Sequence, residues 1–158
     1  MRRLPAALLE LTLAAHNAGE IDMRYEGSIV WQKSLQLAEA VILLSRALPP
    51  EERYGLRSQM VRAATSVPSN VAEGWVRESF KEKARFMSIA HGSLAELHTQ
   101  ILICQRARWL TAVDTRQALD VLDEIARMLT VIKRKWRSKS CHDAASTQLP
   151  RPDYAPPD

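Results

Sequence analysis

Few residue sets in this chain have types and spacings that could do chemistry. Four histidines are present, His16, His91, His98 and His142. His91 and His98 lie seven apart, so on one helix they share a face. A di-iron bundle site needs a glutamate three residues before each histidine. Here those positions hold Ser88 and Ala95. Two lone imidazoles fall short of a metal ion's ligand set, so no metal and no cofactor is expected. Cys104 and Cys141 lack metal-ligand spacing and are too few for a disulfide framework. They read as ordinary thiols of a reducing cytoplasm. No glycine-rich phosphate loop occurs. Glu73 and Glu96 could be paired as acid and base, but buried bundle glutamates are more often hydrogen-bonded structural groups. Nothing meets the nucleophile, base and orienter logic, so no catalytic residue is assigned and a non-enzyme is expected.

Two constellations remain. Ser66, Pro68, Ser69, Asn70, Glu73 and Gly74 form a polar stretch around a proline, and Ser93, Glu96, Thr99 and Gln100 could face it. It reads either as a capped helix restart with a satisfied network or as a pocket or register device for assembly. The second constellation is cationic. From residue 127 to 139 stand Arg127, Lys133, Arg134, Lys135, Arg137 and Lys139, with no acid among them. Cations near a helix C-terminus complement its dipole, which is the plain reading. They are equally the electrostatic footprint of a nucleic-acid site. Trp136, inside the run, could face the core or offer a stacking surface. Arg53 and Arg57, at i and i+4, make a weaker second set with Arg62, Arg77, Lys81, Lys83 and Arg85, diluted by Glu73, Glu78 and Glu82. No recognition-helix motif stands out, so nucleic-acid binding would be electrostatic or shape-led.

These residues need elements to position them. The chain has 158 residues, enough for one domain with a real core. No glycine follows Gly92, and no proline lies between Ser69 and Leu149, which favours long helices over turns and strands. Val30, Ser34, Leu37, Val41, Leu44 and Leu48 keep helical period, widened by Trp31, Leu35, Ala38 and Ile42, and predict a helix from Gly27 to Leu48 stopped by Pro49-Pro50. A second should open at Glu51-Glu52 and kink or restart near Pro68, with Ser66 as the new N-cap. Ser79 to Glu82 fits a capping box opening a third. Gly92 in its middle predicts close approach of another helix. Ala118, Leu122, Ile125, Leu129, Ile132 and Trp136 predict a fourth, from near Asp114. Short connections make this an all-α, antiparallel up-down-up-down four-helix bundle over residues 25–137. Residues 1–24 form a leader. It reads either as a short amphipathic helix or as sequence upstream of a natural start at Met23, because Glu10 breaks any secretory signal. Residues 138–158 read as a disordered, proline-rich tail. No apolar run suits a membrane. A net charge of +4 permits a nucleic-acid partner without requiring one.

The stretch Ser66-Val-Pro-Ser-Asn-Val-Ala-Glu-Gly74 resembles a known family. Ile29-Val-Trp-Gln-Lys-Ser34, Gly55-Leu-Arg-Ser-Gln59, Arg62-Ala-Ala64, Lys81-Glu82, Arg85-Phe86 and Gly92-Ser-Leu-Ala-Glu-Leu97 share the likeness. The family is the bacterial four-helix-bundle proteins encoded by intervening sequences within large-subunit rRNA genes, often labelled ribosomal. The likeness runs from about Tyr25 to Trp136. It implies a homopentameric barrel and kinship with the accessory variability proteins of diversity-generating retroelements, basic pentamers that bind a reverse transcriptase and its template RNA. It carries no catalytic residues. Five copies of the six cations would gather thirty charges on one ring. The expected function is therefore RNA or other nucleic-acid binding by a cytoplasmic oligomer. The alternative is a protein-interaction adaptor, such as a reverse transcriptase subunit.

Overall fold

The computed structural model describes residues 24–146, with side chains for 25–142. Four α-helices account for most of them: α1 Ile29–Leu44, α2 Leu56–Val76, α3 Phe80–Arg106 and α4 Ala112–Ser146. Short 3-10 turns cover Arg24–Gly27, Ser45–Ala47 and Pro50–Arg53. No strand occurs among the described residues. The leader up to Met23 and the end from Thr147 lie outside them.

The helix boundaries follow from local chemistry. α1 stops at Leu44, before the predicted Leu48, because the chain tightens into Ser45–Ala47 and then extends at Leu48 and Pro49. Glu51 and Glu52 do not open the second helix. They sit in the Pro50–Arg53 turn, and Glu52 Oε2 accepts the backbone N–H of Leu56 at 2.9 Å. That carboxylate satisfies one of the free donors of the first turn of α2. Ser79 Oγ accepts the Glu82 N–H at 3.2 Å, so α3 opens as its capping pattern predicts. Thr111 and Asp114 cap α4 reciprocally: Asp114 Oδ2 accepts the Thr111 N–H at 2.9 Å, and Thr111 Oγ1 accepts the Asp114 N–H at 3.2 Å. The Thr111 hydroxyl and N–H hold the Asp114 carboxyl below its usual range.

Of the two alternatives for Pro68, a kink or a restart, the restart fails, and so does the expectation for Gly92. No restart occurs at Pro68: α2 runs unbroken from Leu56 to Val76, and Ser66 is inside it rather than at an N-cap. Pro68 is buried against the core, and neighbouring hydroxyls bond back to the ladder, Thr65 to the Val61 carbonyl and Ser69 to that of Thr65, both at 2.9 Å. Gly92 is not the close-approach glycine. It faces open space, whereas a Cβ on Gly74 would stand 2.7 Å from Met87 Cε and 2.8 Å from Phe86 Cβ. Gly74 is where α2 and α3 come together.

α3 ends without glycine. Arg108 takes φ 62°, its N–H bonding the Gln105 carbonyl and the Trp109 N–H that of Cys104, each at 3.0 Å. This is the Schellman arrangement, with arginine in the left-handed position. α4 continues to Ser146, so the stretch from Ser138 to Ser146, expected in a disordered tail, is helical.

The core lies where the periodic stripes meet. Leu37, Val41, Met60, Val67, Leu97 and Ile125 are fully buried, each adding roughly 1.5–3 kcal/mol over exposure. Leu35 and Ile42, expected to widen the first stripe, point outward instead. Side chains pair the helices in register: Met60 with Cys104 at 3.6 Å, Ser66 with Ser93 at 2.8 Å, Lys33 with Glu124 at 2.5 Å. Near the other end of α3, the Lys83 ammonium donates to the Trp75 carbonyl at 2.8 Å.

Candidate nucleic-acid interface

The polar stretch on α2 meets α3 as a hydrogen-bonded seam. Asn70 Nδ2 donates to the Ser66 carbonyl at 2.8 Å and to Ser66 Oγ at 3.0 Å, and Ser66 Oγ bonds Ser93 Oγ. Arg62 pairs with Glu96 at 2.8 Å, and the same Glu96 oxygen accepts Gln100 Nε2 at 3.1 Å. Glu73 pairs with Arg77, the residue just past the end of α2, and no ion pair or hydrogen bond takes it across to α3. Ser69 and Thr99 spend their hydroxyls on backbone carbonyls of their own helices. Of the readings for this stretch, the satisfied network between two helices describes most of it. Gln100 Oε1 is an exception, buried with no hydrogen-bond partner.

The cationic run occupies the second half of α4. Arg127, Arg134, Lys135, Arg137 and Lys139 are exposed. None of them forms an ion pair with a described carboxylate; those pairs are Lys33–Glu124, Arg62–Glu96 and Arg77–Glu73. Lys139 instead lies over the Phe80 ring at 4.9 Å. Lys133 is half-buried, its ammonium 3.4 Å from His91 Nδ1. Burial holds the His91 imidazole below its ordinary pKa, and the Lys133 charge pushes the same way. Trp136 faces inward, packed edge-on against Trp75 at 5.4 Å, with the Lys83 ammonium 5.8 Å from its ring. It anchors α4 to the bundle and leaves the cations around it turned outward.

Arg53 and Arg57 belong to a different region. Arg53 ends the Pro50–Arg53 turn, over the Tyr54 ring at 5.6 Å, and Arg57 is half-buried in the first turn of α2. The neighbouring Glu52 acts on Cys104, whose thiol is pushed up mainly by burial and then by that charge. His91, beside Lys133, precedes Cys104 by thirteen residues on α3, about 20 Å of helix rise. The predicted set therefore divides into two groups near different ends of α3. The sequence already set these two groups apart; what its pattern did not show is that Arg77 and Lys83, grouped there with Arg53 and Arg57, stand at the other end, beside Phe86 and Trp136. Among the described residues no three His, Cys, Asp or Glu side chains gather as metal ligands. No helix among them is long and apolar enough to cross a membrane.

Four long helices with a hydrogen-bonded α2–α3 seam, and no strand among the described residues, make this an all-α protein. Residues 26–131 match the family model of the 23S rRNA-intervening sequence protein, and the chain belongs to that family. The match ends before Lys133, so most of the cationic run lies beyond it. The fold is similar to the crystal structure of a protein of unknown function from the S23 ribosomal protein family of Bacteroides thetaiotaomicron. The TM-score is 0.63 at 22% identity, over 66% of this chain and 98% of that one. No curated protein matches the chain.

Proposed function

We propose that this protein is a non-enzymatic, cytoplasmic helical bundle that oligomerises and binds RNA or another nucleic acid through cationic surfaces. The observation that carries the reading is the set Arg127, Arg134, Lys135, Arg137 and Lys139, exposed along one helix with no ion pair to a described carboxylate, although the Arg127 charge also acts on Glu124. Exposed cations on a rigid rod can track phosphates without reading bases. The side-chain pairings support antiparallel α2–α3 and α3–α4 neighbours within an up-down-up-down arrangement: Met60 on Cys104 and Ser66 on Ser93 run in opposite senses, as do Gln105 on Thr115 and His91 on Lys133. Assembly is supported by apolar residues left exposed on the single chain, among them Ile29, Leu43, Val113 and Val131, which a partner copy would cover; the number five is what the family resemblance implies.

The test is binding to a structured RNA by wild type and by Arg134→Glu with Arg137→Glu. Both residues are exposed, so the fold is expected to survive. The variant should bind at least tenfold more weakly, since each lost phosphate contact removes counterion release and reversal adds repulsion. Equal affinities would overturn the proposal. A second reading, an adaptor for a protein partner such as a reverse transcriptase, is favoured by an apolar hollow of 490 Å³ lined by Ile29, Trp75, Met128, Val131 and Ile132.

A further inference from the structure

We propose that Arg46, Arg53 and Arg57 form a binding site for a phosphate group with free terminal oxygens, of the kind carried by pyrophosphate or by a phosphorylated strand end. The three line one hollow of 420 Å³, floored by Leu48 and Pro50. They come from three separate pieces of chain: the Ser45–Ala47 turn, the Pro50–Arg53 turn and the first turn of α2. No carboxylate lines the hollow, and none of the three arginines has a described ion-pair partner. Glu52, in the same turn as Arg53, accepts the Leu56 N–H on one carboxylate oxygen and keeps its charge, and Glu51 is exposed beside it; neither lines the hollow. Glu51 and Glu52 in the adjoining turn offset part of the repulsion, but the hollow itself is lined by three like charges, whose mutual repulsion costs free energy. An anion between them reverses the sign.

The frame is stiff. Leu48 is 3% exposed and anchors the connection, Pro49 and Pro50 fix its direction, and the Ser45 hydroxyl bonds the Ile42 carbonyl at 2.9 Å. Arginine suits the task because its planar fork donates two parallel hydrogen bonds to phosphate oxygens. Leu48 is buried beneath the arginines, while Pro50 and two of the three guanidinium-bearing residues, Arg46 and Arg53, are exposed, so the hollow is open to an anion arriving from solvent. Arg46 is the member that spacing in the sequence does not offer, because the double-proline turn is what brings it to Arg53 and Arg57.

This inference deepens the nucleic-acid reading for Arg53 and Arg57 and does not depend on the α4 run. The test is calorimetric titration of the full chain with pyrophosphate, beside fluorescence titration with a short RNA carrying either a 5′-phosphate or a 5′-hydroxyl. Wild type should bind pyrophosphate, and Arg46→Gln with Arg53→Gln should weaken it about tenfold or more, the loss expected for removing charge-assisted bonds. Arg134→Glu with Arg137→Glu should leave pyrophosphate binding unchanged. A preference for the 5′-phosphate strand that disappears in the Gln variant would assign the site to strand ends. Pyrophosphate binding without that preference would assign it to free phosphoanions. No pyrophosphate binding, or equal loss in both variants, would overturn the site. Retained RNA binding by α4 would then stand by itself.

Discussion

Two glycines of similar sequence appearance have opposite structural meanings. Gly92 faces open space in mid-helix, so Gly92→Ala should stabilise the chain by about 1 kcal/mol through helix propensity. Gly74→Ala should destabilise it by about 1–3 kcal/mol, because the new methyl meets Met87 and the Phe86 Cβ. Equilibrium denaturant unfolding of both variants checks the pair. Sequence pattern pointed to Gly92, since Ala90 and Ser93 flank it; which neighbour presses on which glycine depends on helix rotation, and that is a tertiary quantity. His91 offers a second prediction. Its pKa in the folded chain lies below the ordinary value of about 6.5, so the unfolded chain takes up the proton first. Stability should therefore fall as pH drops through about 6.5 towards the folded-state pKa, and be unaffected by His91 above it. His91→Gln should flatten that part of a stability-against-pH curve. An unchanged slope would remove the residue from the account.

At the scale of the element, stripes were legible and ends were not. Val30, Leu37, Met60, Val67, Leu97, Ile125 and Leu129 are all buried as their spacing predicts, because a 3.6-residue period leaves few ways to hide an apolar face. The ends depended on single side chains that a pattern does not weigh. Glu52 reaches Leu56 and delays α2, and Pro68 is carried inside it because burial of its ring against the core offsets the bond its missing N–H cannot give the Ala64 carbonyl. The stop at Arg108 was invisible because the left-handed position usually announces itself with glycine. Arg108→Gly should relieve that position and stabilise the chain by about 1 kcal/mol in thermal or denaturant melts. A loss of stability would mean that the Arg108 side chain makes a contribution larger than the strain.

At the scale of the whole molecule, the cationic run was legible as charge, and its exposure was not. Trp136 decides it. By packing against Trp75 it turns the helix so that Arg134, Lys135 and Arg137 face outward, while Lys133 is drawn towards His91. The separation of Arg53 and Arg57 from that run was legible as two sets on different helices, whereas the place of Arg77 and Lys83 beside Phe86 and Trp136 depends on which helix ends meet and was not. Assembly belongs to this scale as well. Light scattering should give a mass near five times the 17.8 kDa of one chain, and a mass near a single chain would contradict the pentamer. The central claim, that exposed cations of α4 meet phosphate, is tested most directly by the salt dependence of RNA affinity. Between about 50 and 200 mM salt, wild type should lose affinity steeply, and each exposed α4 cation reversed should lower the log–log slope by roughly one. Binding that ignores salt, or a slope unmoved by Arg134→Glu with Arg137→Glu, would contradict the account.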